Sequence, residues 1–312
     1  RMHKAIAVIL FKLEGQIILR NPGFRMENRL LLDKIDYDHC SITIDGKEYP
    51  LKDCAFPTVN HADPYRLSPE EAAVMSQLRF SFQQSEKLQR HVKFLYSKGG
   101  MYLCCNQNLL FHGCIPMDAD GNFSSFETAD GQSLSGKAFL DYTEAMARQG
   151  YYAATGSPER QLGKDFLWFL WCGSNSPLFG RDRMTTFERL LVGGSEICKE
   201  QKNPYYLYSS KKEVCLKILQ EFGLNSEFSH IINGHVPVRS KDGEKPVKAG
   251  GKLIVIDGGF CKVYQSQTGI AGYTLIYNSH GIRITSHEPF AGVQNAIRDN
   301  KDILSTSVIF ET

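Results

Sequence analysis

Three observations predict an α/β or α+β protein built around a sandwich of sheets. Helical and strand patterns interleave along the chain, the strand-like runs are short and apolar with glycine at their ends, and no internal repeat or low-complexity stretch interrupts them. A length of 312 residues suits one large domain or two modest ones. The 36 Lys plus Arg against 34 Asp plus Glu leave a net charge of +2, too small an excess to mark a nucleic-acid or anionic-membrane surface. No apolar run of about 18 residues is present to span a bilayer, and no charged-then-apolar leader is visible, so a cytoplasmic protein is expected. The 19 Phe and 14 Tyr exclude a disordered chain. The cysteines (Cys40, Cys54, Cys104, Cys105, Cys114, Cys172, Cys198, Cys215 and Cys261) are odd in number and form no CxxC. They read as reduced thiols, most of them small core residues.

From the start, Met2, Ile6, Ile9, Leu10, Leu13 and Ile17 recur at the spacing of one helical face. The helix has no Ser, Thr, Asp or Asn cap, so the chain reads as opening inside a longer structure. Residues 30–35 are mostly apolar, and residues 41–51 alternate about Asp45-Gly46, a hairpin signal that puts a β-arm between helices. Ser68 caps a helix predicted over 69–96, with Pro69 in its first turn and Glu70 and Glu71 at the positive end of its dipole. Residues 101–105 and 109–111 read as strands joined near Asn106-Gln107-Asn108, and a loop over 118–130 leads into a helix at 134–148. Residues 161–172, with both tryptophans, read as deeply buried. Residues 229–235 and 252–259 read as buried strands, and 273–278 with 282–286 as a hairpin. The expected organisation is a helical segment with its β-arm over 1–98 and a main body over 99–312.

Two histidines occupy the same kind of place. His112 follows Leu109-Leu-Phe111 and precedes Gly113; His235 follows Ile231-Ile232-Asn233 and Gly234. A ligand at a strand's carboxyl end is held rigidly, and glycine beside it lets an ion or phosphate approach the backbone, so the two read as ligands of one site. Arg181 and Arg183 precede a Thr185/Glu188 capping-box pair, which would put two guanidinium forks beside a helix N-terminus as a phosphate clamp. Gly131–Lys137 imitates a phosphate-binding loop, but Ala138 stands where the Mg²⁺-holding hydroxyl belongs. Cys114 reads as packing rather than as a nucleophile.

Several runs resemble class III fructose-1,6-bisphosphatases: Met2-His-Lys-Ala-Ile6, Phe11-Lys-Leu-Glu-Gly15-Gln16, Leu31-Leu-Asp-Lys-Ile-Asp36-Tyr37, Leu110-Phe-His-Gly-Cys-Ile-Pro116, Gly180-Arg-Asp-Arg-Met-Thr-Thr-Phe-Glu188, Asn233-Gly-His-Val-Pro237 and Lys252–Gly259. The resemblance covers essentially the whole chain and implies a calcineurin-like metallophosphoesterase fold, a β-sandwich flanked by helices with two divalent ions between sheet edges, manganese being expected. It implies hydrolysis of the 1-phosphate of fructose 1,6-bisphosphate in gluconeogenesis, by in-line attack of a metal-activated water. By motif, His112 and His235 would be metal ligands, although Val236-Pro237 replaces the HxH form of many relatives. Arg181, Arg183 and Lys248 are the candidates for the sugar phosphates, which the family's motifs do not themselves assign. The family's DLHG-, GDxxDRGP- and GNHD-like motifs are not in this sequence, so the chain resembles the C-terminal portion, with the N-terminal half expected as a partner and the remaining ligands outside this chain. No nucleic-acid or membrane partner is expected, and self-association stays open. The competing readings are a phosphoprotein phosphatase of the same superfamily and a non-catalytic binding or regulatory half.

Overall fold

The computed structural model describes residues 2–300 apart from 259 and 291, together with the backbone of residues 305–310. Helix α1 (Met2–Arg20) leads through short 3-10 turns into β1 (Ile35–Asp36), β2 (Ser41–Ile44) and β3 (Lys47–Pro50). Helices α2 (Pro69–Gln84) and α3 (Glu86–Lys98) follow, then β4 (Leu103–Cys105), β5 (Asn108–Leu110), β6 (Phe126–Glu127), β7 (Ser133–Leu134), α4 (Gly136–Tyr152), α5 (Pro158–Cys172) and α6 (Thr186–Leu191). After them come α7 (Tyr205–Tyr208), α8 (Lys212–Glu221), β8 (His230–Asn233), β9 (Val247–Lys248), β10 (Leu253–Val255), α9 (Lys262–Thr268), β11 (Gly272–Asn278), β12 (Gly281–His287), α10 (Val293–Arg298) and β13 (Ser305–Phe310). No helix among the described residues is long and apolar enough to cross a membrane. Gly259, the end of one expected strand, lies outside the described residues.

One compact unit comprises Arg1–Gly100, Ser125–Leu134 and Asp141–Lys202. The chain crosses between units several times, and α5 and α6 belong with the N-terminal elements. The reason is apolar: Phe187, Leu191 and Val192 share one buried cluster with Ala7, Val8 and Phe11 of α1 and with Ile42 and Ile44 of the arm. The arm forms as read, with Asp45 at φ 52° and Gly46 at φ 76° making its two-residue turn. Lys12 is fully buried, its Nζ 2.7 Å from Glu71 Oε2 and 2.5 Å from the Thr58 carbonyl. The same Glu71 carboxylate accepts the Ser68 N–H at 2.8 Å, completing the capping box of α2, so one side chain closes a buried ion pair and a helix end together.

Three expectations for this unit are corrected. The helix expected over 69–96 is two helices, broken where Ser85 turns extended (φ −77°, ψ 94°) after the weak helix formers Phe80-Ser81-Phe82. The stretch 161–172 is buried only on one face of α5: Phe166 and Phe169 are inside, whereas Trp171 is 50% exposed. Cys40 and Cys54 form a disulfide rather than remaining thiols, because the arm folds their Cα atoms to 5.6 Å; the other seven cysteines form no disulfide.

The second unit comprises Met101–Ser124, Ser135–Leu140 and Asn203–Thr312. Its main sheet has the order β4-β5-β8-β10-β9. Strands β5, β8 and β10 run parallel, in register Leu109↔Ile231 and Leu253↔Ile231, while β4 and β9 pair antiparallel at the two edges. The three central strands are buried apolar runs, and Ile218 and Leu219 of α8 pack in their cluster. Tyr273, Ile282 and Ile284 of the antiparallel β11-β12-β13 sheet belong to the same core.

One stability effect follows from the first unit. Burial pushes the Glu14 carboxyl up to about 7 against the pull of Arg29, so the folded chain holds this proton where the unfolded chain has released it. That contribution is fully present below the unfolded value near 4.5 and is lost as pH rises through 7. Glu14→Gln should therefore raise the unfolding free energy at alkaline pH by roughly 3 kcal/mol and leave it unchanged in acid. Thermal unfolding against pH checks this; parallel curves for the two proteins would refute it.

Candidate metal centre

Because β5 and β8 are parallel, their chains leave the sheet at the same edge. Pairing continues past both strands: Phe111 N–H donates to the Ile232 carbonyl at 3.2 Å and Gly234 N–H to the His112 carbonyl at 3.2 Å. His112 and His235 consequently stand side by side, with His235 Nδ1 3.4 Å from His112 Nε2 and the rings 89° apart. Two nitrogens held about 2.1 Å from one ion at a tetrahedral angle are about 3.4 Å apart. The donor set and its spacing thus fit a single divalent ion shared by the two imidazoles. Among the described residues, no group of three or more His, Cys, Asp or Glu is arranged to hold a metal.

The support beneath the pair is polar and buried. Asn233, the last residue of β8, donates from Nδ2 to Tyr205 Oη at 2.9 Å and to the Gly113 carbonyl at 3.3 Å, tying the strand end to the backbone beside His112. His235 is held at φ 66°, in the left-handed region, and Val236 N–H closes back onto the Gly234 carbonyl at 2.8 Å. A non-glycine residue in that conformation costs energy, and strain of this kind gathers at functional positions.

The other sequence candidates are placed differently. Arg181 lies 3.4 Å from Glu200; Arg183 lies 2.5 Å from Asp45 and 3.6 Å from Asp182. Both belong to the first unit, the histidines to the second. The expected Thr185/Glu188 capping box does not form. Glu188 is fully buried and paired with Arg29 at 2.6 Å, while the Thr185 hydroxyl is taken by Glu200 at 2.9 Å and by the Cys198 carbonyl. Lys248 in β9 pairs with Glu244 at 2.5 Å. Burial pushes the Cys114 thiol up to about 12, which suits packing and not nucleophilic chemistry. Sequence reasoning missed Asp257, which follows β10 as His112 follows β5; the signal was a third apolar run, Leu253–Ile256, ending in a polar residue and glycine.

A family model described as Firmicute fructose-1,6-bisphosphatase matches residues 1–312. The chain is similar to class 3 fructose-1,6-bisphosphatases of Clostridium novyi (strain NT) and Clostridium acetobutylicum, each 53% identical over 311 residues, and of Alkaliphilus metalliredigens (strain QYMF), 53% identical over 312. In each case the match covers 100% of this chain and 47% of the relative, so the chain spans about half the length of these curated relatives. No solved structure matches.

The left-handed backbone at His235 is open to test. There, glycine should be the better substitute: His235→Gly is expected to be more stable than His235→Ala by about 1 kcal/mol, the reverse of the order at an ordinary position. Denaturant unfolding of the two variants measures the difference, and an alanine variant equal to or above glycine would refute the strain.

Proposed function

The chain belongs to the Firmicute fructose-1,6-bisphosphatase family, and on that premise we propose that it forms part of an enzyme hydrolysing the 1-phosphate of fructose 1,6-bisphosphate to fructose 6-phosphate and phosphate, a step of gluconeogenesis in the cytoplasm. The observation that carries the reading is the pair of strand-end imidazoles 3.4 Å apart, a spacing suited to one shared ion. The unit holding them is the C-terminal part of a metallophosphoesterase-type sandwich, and the remaining ligands come from the part of the family's length that this chain does not span. The cofactor is two divalent ions, manganese by preference. Bound there, they would lower the pKa of water and neutralise phosphoryl charge.

What this chain contributes is holding and orientation. His112 and His235 present ring nitrogens from rigid strand ends, and the buried Asn233–Tyr205 bond keeps those ends in register. Arg181, Arg183 and Lys248 are the basic residues offered to the two phosphates of the substrate. Their present carboxylate partners, Glu200, Asp45 and Glu244, would be exchanged for phosphate oxygens. The shared name of the relatives disfavours the phosphoprotein phosphatase alternative.

Phosphate release tests the reading. Joined to the segment that completes the family's length, the chain should release phosphate from fructose 1,6-bisphosphate with Mn²⁺, and His112→Ala should lower the rate by about 100-fold or more. Release from a phosphoserine peptide and not from the sugar bisphosphate, or a His112→Ala variant at full rate, would refute it.

A further inference from the structure

We propose that Asp257 is a positioning residue of the metal centre: its carboxylate, which borders the same gap as the His112 ring, swings across that gap to take the Nδ1–H of His112 and so favours the tautomer that presents His112 Nε2 to the ion shared with His235. The inference rests on the metal-centre reading and adds a residue to it.

Strands β5, β8 and β10 are parallel neighbours, so their carboxyl ends deliver three polar side chains to one edge: His112, His235 and Asp257. Asp257 is held there by its own backbone. Its carbonyl accepts the Val238 N–H at 2.8 Å, and the preceding Ile256 N–H donates to the Asn233 carbonyl at 3.0 Å, locking the residue against the end of β8. Between Asp257 and His112 stands Gly234. A Cβ at this position would lie 3.4 Å from His112 Nδ1 and 3.5 Å from Asp257 Cβ. The ring nitrogen of His112 that turns from His235, and the side chain of Asp257, therefore border the same gap, which a residue without a side chain keeps open. His112 Nε2 is the nitrogen facing His235, so an ion shared there needs the Nε2 lone pair and the proton on Nδ1. A carboxylate accepting that proton fixes the ring's orientation and raises the basicity of Nε2, and loss of such a partner typically costs 10–100-fold in metal affinity, taken as order of magnitude. The role is that of a hydrogen-bond acceptor, in keeping with the lack of a three-residue ligand group among the described residues.

Two readouts on this chain decide the matter. Long-range ¹H–¹⁵N NMR of the His112 ring without metal, at about pH 8 where an ordinary imidazole is neutral, should show the Nδ1–H form. Asp257→Asn should shift the population toward Nε2–H, and Asp257→Glu should restore part of it. Titration with Mn²⁺ alone should show affinity falling about 10–100-fold in Asp257→Asn at an unchanged unfolding midpoint. If Asp257→Asn fails to fold, Gly234→Ala, whose methyl would fill the gap at ordinary contact distances, serves as the second variant with the same expected direction. An unchanged tautomer overturns the proposal, including when Mn²⁺ affinity falls, because the residue would then act through the fold. A wild-type chain that shows the Nδ1–H form but binds no Mn²⁺ would refute the metal-centre reading and leave the proposed pairing of Asp257 with His112 standing.

Discussion

Strand β8 has parallel neighbours on both sides, and this constraint sets the rest of the second unit. Parallel strands cannot be joined by tight turns, so β5 reaches β8 through helices and β8 reaches β10 through the longer segment that carries β9, and all three strands discharge at one edge. That edge is where Gly234 and His235 depart, with His112 alongside and Asp257 on the other flank. Ile231 and Ile232 point to opposite faces of the sheet and are both buried, so a one-residue slip of β8 against β5 would exchange their faces and shift Gly234 and His235 out of line with His112. The apolar pattern that specifies burial therefore also specifies which imidazoles meet.

The first unit solves a different problem, that of buried charge. Lys12 with Glu71, Arg29 with Glu188, and Arg20 with Asp165 each set a carboxylate that is largely or wholly buried against a cation. Burying such pairs yields little net stability, but removing one partner strands the other in a poor dielectric. Their value is in specificity: α1 docks in one register only, since Lys12 must find Glu71 on α2 and Arg20 must find Asp165 on α5. Arg181 and Arg183 differ from these in being partly exposed and paired at the surface, where exchange of one anion for another costs least.

Local signals in the sequence were legible. The Asp45-Gly46 turn, the Ser68/Glu71 capping box, the two apolar strands and the strand-end positions of His112 and His235 all depend on residues within a few positions of one another, and all are present in the structure. What the sequence hid depends on distant partners. Glu188 looks like a capping residue for Thr185, yet Arg29, 159 positions away, takes both of its oxygens. Glu200 replaces it at the Thr185 hydroxyl. Cys40 and Cys54 become bonding partners only once the arm has folded. Asp257 ends an apolar run much as the two histidines do, but its place beside them shows only when β10 is known to lie beside β8.

The central claim is that His112 and His235 serve one ion. Calorimetric titration of the chain with Zn²⁺, which imidazole nitrogen binds well, tests it through a double-mutant cycle. The account predicts one equivalent of ion bound by the wild type, loss of that binding in His112→Ala and equally in His235→Ala, and no further loss in the double variant. Independent, additive losses, or full binding retained by either single variant, would contradict it.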